Sequence, residues 1–192
     1  MSYIKKIISC FISSVMALSC FSLHSSLINA SSQSLVLPYR FETNLSSIGV
    51  YYSDSYAEYY GESTMIAITT WYQDSRTKFI YIKRVDTTRE SSVRFHLNSI
   101  SASNMLAQTT FYYNIEINPT CHNWTSCKVK VNHANRPKGP TFAHEFGHVL
   151  GLNENNSDPS SIMCQESFGR TARKPSASDY TLIAKKYTPY IS

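Results

Sequence analysis

The stretch TFAHEFGHVLGLNE, residues 141–154, limits what this chain can be more than any other. Its apolar residues recur at helical spacing. Pro140 precedes it, suited to a first helical turn where no amide hydrogen is needed, and Gly151 closes the pattern. The sequence therefore predicts a helix over about residues 140–150. Residues four apart on a helix share a face, so His144 and His148 present two imidazoles to one point. Glu145 stands beside them. Two imidazoles can ligate a divalent metal, and the neighbouring carboxylate can hold a water there and take its proton. The plainer alternative is an amphipathic helix with two half-buried histidines that ligate nothing.

The residues after the helix favour the metal. A catalytic zinc takes three protein ligands and keeps one position for water. Gly151 lets the chain leave the helix sharply, in a conformation other residues avoid. Within the few residues after it, Leu152 cannot ligate and Asn153 is a neutral donor. Glu154 offers a carboxylate, and Asp158 in the loop NNSDPSS is its rival. Farther on come SIM, residues 161–163, and SASDYTLIAKKY, residues 176–187. In the latter, Ser176 can cap a helix with Asp179 three residues on.

HEFGHVLGLNE, SIM and SASDYTLIAKKY together resemble the metzincin zinc endopeptidases, nearest to the matrixin-like and small bacterial secreted members. The resemblance is specific over about residues 131–187. It is looser upstream, through AITTWYQDSRTKFIYIKRV. It implies an α+β (α/β-like) fold: a twisted, mostly parallel sheet with an antiparallel edge strand, an active-site helix, a Met-turn at residues 161–163 and a C-terminal helix. It also implies one catalytic Zn2+ on His144, His148 and Glu154, with Glu145 as general base and Met163 as an apolar floor. A peptide or protein substrate would pair with the edge strand, placed near residues 104–109. The pocket beyond the scissile bond would be walled by residues 164–173. Two positions depart from the family pattern. The third ligand is usually histidine or aspartate where this chain has Glu154, and Gln165 stands where some members carry tyrosine. A thermolysin-like protease with Glu166 as a distant ligand would leave Gly151 and SIM unexplained. A non-catalytic zinc-binding or adhesion protein on the same scaffold would have no need of Glu145.

Upstream, Lys5 and Lys6 precede an apolar run, and INA at residues 28–30 ends in a small residue. Residues 1–30 read as a secretory signal, leaving residues 31–192 as one catalytic domain; an uncleaved membrane anchor is the alternative. Losing two lysines and no acid takes the formal charge from +5 to +3. That balance, without a basic run, gives no reason to expect nucleic acid. The expected protein is secreted, does not insert in a membrane after cleavage, and is monomeric. Cys121 and Cys127, in CHNWTSC, are then a candidate disulfide, and Cys164 an odd thiol. Strands are expected at YRFE (residues 39–42), TKFIYIKRV (77–85), SSVRFHL (91–97), NMLAQTTFYY with NIEIN, and KVKVNH (128–133). A helix is expected over residues 53–74.

Overall fold

The computed structural model describes residues 34–98 and 104–190. The segment read as a signal lies outside them. Six strands form one mixed sheet: β1 (Ile48–Tyr52), β2 (Ile82–Arg84), β3 (Val93–Asn98), β4 (Ala107–Tyr113), β5 (Ile115–Ile117) and β6 (Ser126–Asn132). Their order is β2-β1-β3-β6-β4-β5. The β1–β2, β1–β3 and β3–β6 pairs are parallel, while β4 runs antiparallel to β6 and β5. This is the α+β arrangement expected, with its antiparallel strands gathered at one side.

Alternation decides which face of the sheet is dry, because successive side chains point opposite ways. Ile48, Val50 and Tyr52 on β1, Val93 and Phe95 on β3, and Cys127, Val129 and Val131 on β6 are all buried. They meet α1 (Asp54–Thr69) and α2 (Gly139–Val149). Helix α1 buries Tyr56, Thr64, Ala67 and Ile68, a stripe at helical spacing that runs on to Trp71. Two buried indoles then fix α2. Trp71 Nε1 donates to the Ala143 carbonyl at 2.9 Å, and Trp124 Nε1 donates to the Val149 carbonyl at 3.1 Å. Each large ring fills core volume and also satisfies its one polar group.

Several expectations need correction. Residues 39–42 form no strand; Phe41 makes a single parallel bridge to Trp124. The strand expected over 77–85 shrinks to Ile82–Arg84, because a 3-10 turn at Ser75–Thr77, capped by the Asp74 side chain, occupies its start. The edge expected near residues 104–109 begins at Ala107. The Cys121–Cys127 disulfide is also corrected: both thiols are free. Cys127 points into the core in phase with Val129 and Val131, where burial pushes its thiol pKa up, while Cys121 lies exposed on the loop. Cys164 is buried and free.

The last helix, α3 (Ala177–Tyr187), starts with a capping box between Ser176 and Asp179. Asp179 is fully buried. Its Oδ2 accepts from the Ser176 amide at 2.8 Å and the Ile162 amide at 3.0 Å, and its Oδ1 accepts from the Ser161 hydroxyl at 2.6 Å. One carboxylate thus ties the start of α3 to the turn at residues 161–163. Asp179→Ala is expected to lower unfolding stability by about 3 kcal/mol, since it strands several buried donors at once. Urea unfolding checks this; a loss below about 1 kcal/mol would contradict the anchoring role. Among the described residues, no helix is long and apolar enough to cross a membrane.

Candidate metal centre

Helix α2 ends in a Schellman turn. The Gly151 amide donates to the His148 carbonyl at 2.8 Å, and the Leu152 amide donates to the Gly147 carbonyl at 2.9 Å. Gly151 has φ +86, a conformation that calls for glycine, and a Cβ there would also displace the end of the Lys186 side chain. The turn has two consequences. It sets the Leu152 carbonyl 3.0 Å from His148 Nδ1, and it returns Glu154 to the histidines.

His144 is fixed in the same way from another direction. Its Nδ1 lies 2.9 Å from the Ile162 carbonyl, on the turn that Asp179 anchors. A carbonyl only accepts, so both Nδ1 atoms carry hydrogen and donate. Both Nε2 atoms of the neutral rings are therefore left as lone-pair donors, and they face one another at 3.2 Å. Glu154 Oε1 stands 3.6 Å from His144 Nε2 and 3.4 Å from His148 Nε2. Tetrahedral zinc with bonds of about 2.0–2.1 Å separates its ligand atoms by about 3.3 Å. The triangle of two nitrogens and one oxygen fits that demand, and the donor set is one zinc accepts. Glu154 Oε2, buried and without a hydrogen-bond partner, adds negative charge that a cation would balance.

The electrostatics agree. Burial alone would raise the Glu154 carboxyl pKa, but when the two rings are protonated at Nε2 as well, their hydrogen bonds and charge outweigh it and hold it well below the usual carboxylate range. Burial would lower the His148 pKa, yet Glu154 and Glu145 reverse the sign and raise it. Both shifts express one fact: this pocket stabilises positive charge beside Glu154.

Gln165 Nε2 donates to Glu154 Oε1 at 3.0 Å. It steadies the carboxylate that completes the triangle. Gln165→Ala is expected to weaken zinc binding about tenfold, as loss of a group that orients a ligand does. A competition titration against a chromophoric chelator measures this, and unchanged affinity would refute the steadying role.

Asp158 is not part of the cluster. Its Oδ1 accepts from the Ser160 amide and hydroxyl at 2.9 and 2.6 Å, so it closes its own turn. Glu166 pairs with Arg170 at 3.9 Å and also stands outside the triangle. His133 is held by the Tyr60 hydroxyl at 3.0 Å. Met163 is buried under the helix at Gly147, where a Cβ would collide with its sulfur and with Trp71.

Glu145 is buried to within 5% exposure beside the triangle but is not a member of it. Its Oε2 accepts from the Thr109 hydroxyl at 2.6 Å. The sequence places Thr109 in an edge strand but gives no signal of this bond, because only the fold brings β4 against α2. A cleft of about 730 Å³ opens here. Ala107, Gln108 and Thr109 line one side, His144, Glu145 and His148 the floor, and Gln165, Glu166, Ser167 and Arg170 the far wall. Strand β5 pairs only with Phe111–Tyr113, so among the described residues no strand pairs with the outer edge of β4 over residues 107–110.

No protein-family model matches the chain, and no curated protein matches it. Solved structures are similar to the chain, two of them metalloproteases by name. One is high choriolytic enzyme 1, a hatching enzyme zinc-protease from Oryzias latipes (medaka fish), with TM-score 0.48, 14% identity, and coverage of 85% of this chain and 99% of that one. The other is metalloproteinase-II from Bacteroides fragilis, with TM-score 0.44, 12% identity, and coverage of 82% of this chain and 58% of that one.

Proposed function

We propose that the protein is a zinc-dependent endopeptidase, of the metzincin type that its motifs resemble. The observation that carries this is the pairing of a three-donor metal triangle with a separate carboxylate, Glu145, in one cleft. A structural metal site has no use for that carboxylate.

His144, His148 and Glu154 would hold the zinc, which when bound supplies Lewis acidity to a water and to the scissile carbonyl. The remaining work falls to the protein. Glu145 takes a proton from the attacking water and delivers it to the departing amine. The outer edge of β4 over residues 107–110 offers backbone groups to an extended peptide, which would lie along the cleft as an added strand. The carbonyls of Ile162 and Leu152 hold both imidazoles in the tautomer that presents Nε2 to the metal. Gln165, Glu166, Ser167 and Arg170 bound the space for substrate side chains. With the basic and apolar start of the sequence read as a signal, the site of action is outside the cell.

Mass spectrometry of a mixed peptide library tests the reading. Internal cleavages that vanish with a chelator are expected. Absence of cleavage, or cleavage indifferent to chelation, would remove it in favour of a non-catalytic zinc-binding or adhesion protein.

A further inference from the structure

We propose that Thr109 is a positioning residue for the Glu145 carboxylate, so that one strand both aligns the peptide and aims the base. The proposal rests on the reading of Glu145 as general base.

The geometry comes from two elements that meet only in the fold. Thr109 lies on β4 opposite Val129 of β6, in a register held along six residue pairs. Its side chain is on the same face as the buried Phe111, so it points towards the helices. There its hydroxyl lies 2.6 Å from Glu145 Oε2 and 3.2 Å from the Glu145 backbone carbonyl. One hydroxyl has one proton to give, and the shorter contact runs to the side-chain oxygen. Oε2 is thereby committed to Thr109, and Oε1 is left for the proton in transit. A glutamate side chain has three rotatable bonds, and an unrestrained carboxylate would spread over several rotamers. The hydroxyl removes that freedom with a hydrogen bond.

The source of the restraint also matters. The outer edge of β4 is the strand edge left unpaired along the cleft among the described residues. A peptide pairing there would be registered against the strand whose side chain fixes the base. Base and scissile bond would then share one frame, which is what proximity catalysis requires. Thr109 touches neither histidine nor Glu154 in the hydrogen-bond network; it acts through Glu145. Its loss is therefore expected to spare zinc binding and substrate binding while slowing the chemical step.

The test uses Thr109→Val, which keeps the shape and removes the donor, and Thr109→Ser, which keeps the donor. Each is assayed on a fluorogenic peptide that the wild-type protein cleaves, with zinc content measured on the same samples. Thr109→Val is expected to lose about tenfold or more in kcat with KM nearly unchanged and one zinc retained. Thr109→Ser is expected to recover most of the loss. Wild-type kcat in Thr109→Val, or equal damage in both variants, would overturn the proposal. Glu145→Gln run alongside separates the two claims: normal turnover there removes Glu145 as general base, the reading on which the proposal rests. A crystal structure of Thr109→Val decides the positioning claim without any activity: a displaced Glu145 carboxylate supports it, and an unmoved one refutes it.

Discussion

Glu145→Gln is expected to keep its zinc and lose peptide hydrolysis by about 10²- to 10⁴-fold. The substitution preserves volume and leaves His144, His148 and Glu154 in place, so the triangle of donors survives. What disappears, on the proposed reading, is the proton acceptor of that cleft, a carboxylate that lies outside the donor triangle. Glutamine can still receive the Thr109 hydroxyl on its amide oxygen, so the side chain should stay near its native position. The loss would then report chemistry and not collapse. The measurement is kcat on a cleaved peptide, with zinc content by atomic absorption. Turnover within about threefold of wild type would exclude Glu145 as the base.

The second large effect separates two carboxylates that are near neighbours in the chain. Glu154→Ala is expected to reduce zinc affinity by several orders of magnitude, because two imidazoles alone cannot close the site. Asp158→Ala is expected to leave zinc affinity within about threefold, because that carboxylate caps the turn at Ser160 and does not reach the cluster. Its cost would fall on loop stability, about 1 kcal/mol. One calorimetric titration series measures both variants. The reverse order would move the third ligand to Asp158 and imply that the loop refolds on metal binding.

These residues are legible in the sequence to different degrees, and the reason is the distance over which each signal acts. Helix α2 and its end are readable because Pro140 and Gly151 act through local backbone geometry. Glu154 is readable only in part: the Schellman turn directs the chain through Gly151 and Leu152, while the Leu35 and Met163 carbonyls hold Asn153 and Asn155 on either side of Glu154. Helix α3 is announced by Ser176 and Asp179, but only the fold shows Asp179 also holding Ser161 and Ile162, and through Ile162 the imidazole of His144. The contact of Thr109 with Glu145 is invisible, although the edge strand that carries Thr109 is not. The partner is 36 residues away, and the contact depends on strand register.

The corrected expectations have physical causes too. The cysteine pairing rests on closeness in the chain, while strand phase decides direction. Cys127 precedes Val129 and Val131 by steps of two, and that alternation carries it inward. Strand β1 escapes notice in the sequence because Gly49 breaks its pattern. Glycine is needed there, since a Cβ would strike the Glu90 backbone carbonyl. Residues 39–42 have a strand-like composition, but the aromatic ring of Phe41 is drawn in by core packing, and the chain around it pairs only through one bridge.

The triangle and Glu145 are held to form one working site. Titrating zinc into chelator-stripped full-length protein, while following cleavage of unfolded casein, tests this most directly. Activity is expected to rise from background, reach its maximum at about one zinc per chain, and remain absent from zinc-loaded Glu145→Gln. Stoichiometric, tight zinc binding with no cleavage by the wild-type protein would contradict it.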